Sequence, residues 1–223
     1  SREIKSRRNL VSLRPVDFAI DATSRQWKGS AKDELLATAT RATSAEHPRV
    51  FEQAQKASQL LGLAHCPPVY VSAAEAPAGA FALGHGDDAV LLIHPHWISA
   101  LSEPELIALI GRTLGYVQNN MVPYSTALYY LEHDAFFFVR WIVTPAIMAL
   151  RNWQRKADIT LDRAGLICSR DVGSSVASIL RTYGAHQGPL DTEALAKSDA
   201  LNSPGLAEHL EKHKHLRRRL RAL

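Results

Sequence analysis

The chain has 223 residues, 46% of them hydrophobic and 22% charged, enough apolar content for one domain with a real core and too much for a low-complexity or disordered polypeptide. Two cysteines, Cys66 and Cys168, stand far apart with no CxxC pair, which argues against a structural zinc knot and for a reducing compartment. The net charge is +4 and the pI is near 9.2, with much of the excess in KHKHLRRRLR, residues 212 to 221.

The opening SREIKSRRNL is basic with no apolar run behind it, so it does not read as a signal peptide, and a cytoplasmic protein is expected. Residues 1 to 30 are polar and irregular, an expected N-terminal arm, with a single domain from 31 to 223. Two helices are expected between 31 and 61, KDELLATATRAT and RVFEQAQKASQLLG, divided by Glu46-His47-Pro48 and closed by Gly62. Pro67-Pro68 leads into a strand, VYVS. AGAFALG and AVLLIHP follow, and His85-Gly86-Asp87-Asp88 between them reads as a hairpin turn.

From Trp97 the pattern is helical. Ser102 is the expected N-cap, with Pro104 in the first turn and Glu103 and Glu105 near the positive end of the helix dipole. Leu106, Leu109, Ile110, Thr113, Leu114 and Val117 mark a buried stripe, and Arg112 and Tyr116 share another face four residues apart. A second long helix is expected over about 124 to 149, kinked at Pro145, and a third from near Leu150. Residues 135 to 150, AFFFVRWIVTPAIMAL, are broken by Arg140 and Pro145 and fall short of the roughly 20 apolar residues that a spanning helix needs. A buried helix is the preferred reading, with shallow peripheral membrane contact as the alternative. The basic tail reads as a solvated helix whose Leu210, Leu216, Leu220 and Leu223 pack inward, in preference to a surface for nucleic acid or anionic membrane. The sum is an α+β fold, mostly helical, with one small mixed or antiparallel sheet.

Within this pattern VYVS, AFALGHG, AVLLIHPHWISALSEPELIALI and LGYVQNN follow one another, and the block Trp153, Arg155, Asp158, Asp162, Arg163, Ala164, Gly165, Leu166 comes later. Their order and spacing resemble the HtpX-like zinc metallopeptidases, relatives of the CAAX prenyl endoproteases, over about residues 48 to 223. The resemblance implies a metallopeptidase-like fold with zinc as cofactor. It also implies that Ala80, Phe81, Ala82 and Leu83 form an edge strand able to pair with an extended peptide, and that Asp162 and Arg163 brace the ligand helix.

The resemblance fails where the chemistry lies. Where such a peptidase carries His-Glu-Leu-Gly-His, this chain reads Arg112-Thr113-Leu114-Gly115-Tyr116. A zinc helix of this kind needs two imidazoles four residues apart and a carboxylate beside the first as general base. A guanidinium offers no lone pair to a metal. The third ligand position falls on Asp158, a carboxylate one methylene shorter than Glu, and one carboxylate alone does not hold zinc. No metal and no catalytic residue is therefore expected. His85, His94, His96, His133 and His186 form no recognisable replacement set, and Ser125, His133 and Asp134 form no recognisable triad. In place of the metal, a bidentate pair between Arg112 and Asp158 is expected, with Tyr116 donating a further bond to Asp158. The alternative leaves Arg112 in the cleft and pairs Asp158 with Arg155 or Arg163.

The leading functional expectation is a pseudo-peptidase, a peptidase-shaped scaffold or regulatory component that binds a protein or peptide. An active zinc metalloendopeptidase with atypical ligands is the first alternative. A basic module for nucleic acid or a membrane surface is the second, with nucleic acid the less favoured partner.

Overall fold

A computed structural model describes residues 14–73, 79–133, 140–183, 190–197, 206, 210 and 214–223. The fold is α+β and mostly helical, with one small mixed sheet. Helix α1 covers Arg14–Gln26, and a kink at Gly29 (φ −83°, ψ −128°) within Trp27–Ala31 separates it from α2, Lys32–Leu36. This replaces the second half of the expected arm with ordered structure. Val16, Ala19, Thr23 and Trp27 are buried, and their three-to-four-residue spacing gives α1 one apolar face. The Trp27 indole N–H donates to Asp88 at 3.1 Å, and Lys32 pairs with the same carboxylate.

The first helix expected after residue 31 is cut short, because Thr40–Arg41 form strand β1 against β2, Val69–Val71. Helix α3, Pro48–Leu60, starts on Pro48 and is followed by Gly62 in the left-handed region at φ 68°, as the sequence signals require. Strands β3, Ala80–Leu83, and β4, Val90–Ile93, form the expected antiparallel hairpin. Gly84 closes it at φ 134°, where a side-chain Cβ would stand 2.2 Å from the Asp88 carbonyl oxygen. The sheet order is β1-β2-β4-β3, with β2 and β4 parallel, so β3 lies at the rim.

A short helix α4, Pro95–Ala100, is capped by the His94 ring, whose Nδ1 accepts from the His96 N–H at 3.2 Å. Helix α5, Glu103–Gln118, begins at Ser102. The Glu105 carboxylate accepts from the Ser102 N–H at 2.8 Å and from its hydroxyl at 2.9 Å. Residues Glu105 to Tyr116 are all buried, so α5 is central and covered on every face, beyond the single stripe read from sequence. Helix α6 covers Val122–His133. Helix α7 is one element of 30 residues, Arg140–Ser169, with Pro145 inside it; the break expected near Leu150 is absent, and the buried Ala146, Leu150, Trp153 and Ala157 carry one apolar face through it. Residues 135 to 139 of the apolar run lie outside the described residues. Among the described residues no helix is long and apolar enough to cross a membrane.

Helix α8, Val172–Thr182, starts at the Asp171 cap, and a short α9, Thr192–Leu195, follows. The last helix is α10, Lys214–Leu220. Leu210, Leu216 and Leu220 are buried with Val176, Ile179 and Leu180 of α8, as the leucine spacing of the tail indicates.

A buried ion cluster as the candidate functional site

The site is set by how closely α5 and α7 pack. A Cβ added at Gly111 would stand 2.5 Å from the Cys168 sulfur, and one at Gly165 would stand 2.6 Å from the Ala108 carbonyl oxygen. Glycines at these positions let the two backbones approach to a distance that any larger residue would forbid. That approach brings Arg112 on α5 alongside Asp158 and Asp162, which share one face of α7 at i, i+4.

Arg112 bridges the two carboxylates. Its Nη2 donates to Asp158 Oδ1 at 2.5 Å, its Nε to Asp162 Oδ1 at 2.9 Å, and Nη2 also to the Tyr183 hydroxyl at 3.1 Å. Arg219 of α10 enters from the other side, giving Asp162 a two-bond fork, Nε to Oδ2 and Nη2 to Oδ1, each at 2.7 Å. Its guanidinium carbon lies 4.2 Å from the centre of the Tyr183 ring, within cation–π range. The His215 Nε2 lies 2.8 Å from Asp158 Oδ2. Two guanidiniums thus face two carboxylates in a buried, charge-balanced cluster, the arrangement that makes burial of charge tolerable.

The cluster controls its own ionisation. Burial would raise the Asp158 carboxyl, but the His215 hydrogen bond and the Arg112 and Arg219 charges outweigh it and leave the group below the usual carboxylate value. Burial works against charge on Arg112, and Tyr183, Asp158 and Asp162 overcome it, so the guanidinium stays cationic. Burial pushes the Tyr116 phenol up to about 12, so it carries its proton at neutral pH.

The expected Arg112–Asp158 contact is present, with a different shape. Arg112 spans both aspartates, and the bidentate fork belongs to Arg219 and Asp162. Tyr116 makes no bond to Asp158; its oxygen accepts from Gln154 Nε2 at 3.4 Å. Thr113 is fully buried and donates to the Leu109 carbonyl one turn back at 2.8 Å, so its hydroxyl is consumed inside the helix. Asp162 is a bracing residue at the centre of the cluster, whereas Arg163 is exposed and, among the described residues, donates to the Ala222 carbonyl at 3.4 Å. Arg219, His215 and Tyr183 escaped the sequence reading. For the first two a signal existed: 215 and 219 stand four apart, each next to an inward leucine, Leu216 and Leu220.

Beside the cluster opens a cavity of about 350 Å³. Phe81 of β3, Tyr116 of α5, Leu128 and Tyr129 of α6, and Gln154 and Arg155 of α7 are among its lining residues. Its size lies in the range of small-ligand pockets. Strand β3 is at the sheet rim as expected, but its free edge is covered from Ala82 onward. The Ser125 hydroxyl donates to the Ala82 carbonyl at 2.5 Å. The Thr126 oxygen accepts from the Gly84 N–H at 2.9 Å and donates to the Gly84 carbonyl at 3.0 Å. A peptide adding to Ala80, Phe81, Ala82 and Leu83 as a further strand would have to displace α6 there.

The donor set does not fit zinc. Both Asp158 oxygens are engaged, one by Arg112 and one by His215, and two permanent cations stand within the same cluster. Among the described residues no group of three or more His, Cys, Asp or Glu is placed to hold a metal ion; the His133 side chain, Asp134 and His186 lie outside the described residues. Comparison with protein-family models, with curated proteins and with solved structures finds no match to this chain.

Proposed function

We propose that this chain is a non-catalytic, HtpX-like pseudo-peptidase that binds a protein or peptide partner in the cavity beside the Arg112 cluster. The observation that carries the reading is the position of Arg112: the residue in the first ligand place is a buried cation held by Asp158 and Asp162, a structural use of the site that zinc chemistry would have to undo. The cavity supports the binding half of the proposal. Phe81, Tyr116, Leu128 and Tyr129 offer apolar and aromatic surface to a side chain of the partner, and Arg155 and Gln154 stand among them as polar groups. The two free thiols fit a cytoplasmic setting.

Two measurements on the full chain test the two halves. With added zinc, the protein is expected to leave an unfolded protein substrate uncut; chelator-sensitive cleavage would refute the non-catalytic half. A fluorescent library of short apolar peptides is expected to yield binders that Gln154→Trp, which fills the cavity, weakens about tenfold or more, the loss of one well-made pocket contact. Binding that ignores this substitution would move the partner elsewhere.

A further inference from the structure

Helix α10 uses its two sides for different ends. On the inner side Leu216, Arg219 and Leu220 are buried and His215 meets Asp158. On the outer side Lys214, Arg217, Arg218 and Arg221 stand at i, i+3, i+4 and i+7, one continuous stripe. With Leu210 these four line a shallow hollow of about 590 Å³. Lys214, Arg218 and Arg221 are exposed, and among the described residues none of them pairs with a carboxylate. The Arg218 guanidinium donates to the Arg155 carbonyl at 3.4 Å, which brings the exposed Arg155 of α7 to the border of the same face.

A basic stripe on a freely moving tail is ordinarily just solvated. Here the Arg219–Asp162 fork, with both side chains fully buried, fixes the helix and therefore the face from which its outer cations extend. A backbone already in place spares an arriving anion the cost of ordering the tail, leaving only the side chains to be immobilised. The three exposed cations, Lys214, Arg218 and Arg221, set the ligand's charge. One carboxylate would leave most of the positive charge unmatched, whereas a phosphate group brings up to two negative charges and three acceptor oxygens matched to guanidinium forks.

We propose that the hollow on the outer face of α10 binds a phosphate-bearing polyanion, of the size of a phospholipid headgroup or a small soluble polyphosphate. The proposal does not depend on the pseudo-peptidase reading, since it involves none of the cavity residues except the neighbouring Arg155.

The test is calorimetric titration of the full chain with pyrophosphate, in parallel with flotation on phosphatidylcholine vesicles with and without phosphatidic acid. Saturable pyrophosphate binding at one site is expected, weakened about tenfold or more in R218Q/R221Q because charge-assisted bonds are lost. It should be partly restored in R218K/R221K and unchanged in K56Q, which removes an exposed charge on α3. Melting curves matched to the parent verify that each variant is folded. Flotation dependent on phosphatidic acid and competed by pyrophosphate supports the lipid source; pyrophosphate binding without flotation supports the soluble source. No saturable binding by either arm, or binding unchanged in R218Q/R221Q, would overturn the proposal. So would a single-stranded oligonucleotide of equal charge that binds much more tightly than pyrophosphate through the same arginines, because it would make the face a nucleic-acid site.

Discussion

Arg219 and Asp162 meet through two parallel hydrogen bonds of 2.7 Å, with both side chains fully buried, although 57 residues separate them in the chain. This fork fastens the C-terminal helix to α7, and the Asp162 that it uses also holds Arg112. The end of the chain is thus part of the same electrostatic unit as the Arg112–Asp158 pair.

Removing one member of that unit strands the others. Arg219→Met leaves the fully buried Asp162 side chain with Arg112 as its remaining cation among the described residues. A cost of roughly 3–5 kcal/mol is expected, as for breaking a buried ion pair from one side. Arg219→Lys should recover only part of it, because a point charge cannot form the fork. Urea unfolding of the three proteins checks the order; a loss below about 1 kcal/mol in Arg219→Met would mean that the fork does not fasten the helix.

Gly165→Ala tests the approach of the helices. The added methyl would meet the Ala108 carbonyl oxygen at 2.6 Å, and backbone does not swing aside as a flexible side chain does. A destabilisation of about 1–3 kcal/mol is expected from such overpacking. In contrast, Gly86→Ala meets no neighbour within 4 Å and is opposed only by its φ of 60°, so its smaller loss in thermal unfolding serves as the comparison.

Acid should loosen the cluster in a defined direction. The folded-state Asp158 carboxyl titrates below its ordinary value, through His215, Arg112 and Arg219 working against burial. A lowered folded value means that the stabilisation is complete above the unfolded value, near about 4, and is lost as pH falls through the folded value. Chemical stability measured from pH 6 downward should therefore decline below about pH 4, and Asp158→Asn should flatten that limb while lowering stability at neutral pH. An unchanged acid limb in Asp158→Asn would show that other carboxylates govern it.

The thiols report on the same packing. Cys168 is buried beneath Gly111, and burial pushes its thiol up to about 11. Cys66 is half-buried. In the native protein Cys66 should react with a disulfide reagent well before Cys168, which should respond only on unfolding. Equal rates for both would mean that α5 and α7 are not closed over the sulfur.

Much of this arrangement is legible in the sequence, for reasons that differ by element. The α5 start, the β3–β4 hairpin and the close of α3 are written in local chemistry: Ser102 with Glu105, glycine at 84 and 86, Pro48 and Gly62. Arg112 facing Asp158 follows once the two blocks are aligned, because a buried carboxylate needs a cation. The N-terminal helix was hidden by a polar leader, although Val16, Ala19, Thr23 and Trp27 carry its periodicity. Strand β1 is two residues long and is made by its partner β2; nothing in Thr40-Arg41 demands it. The role of Arg219 depends on tertiary docking of a charge-rich tail, where of three arginines in a row Arg219 is buried, Arg217 half-buried and Arg218 exposed.

The central claim is that a side-chain cation serves where a metallopeptidase would keep its metal. Elemental analysis of the full chain, purified without chelator, tests it most directly, paired with melting curves in the presence and absence of a strong chelator. The account predicts zinc far below one equivalent per chain and superimposable melting curves. One equivalent of zinc, with a melting temperature that falls when chelator is added, would contradict it.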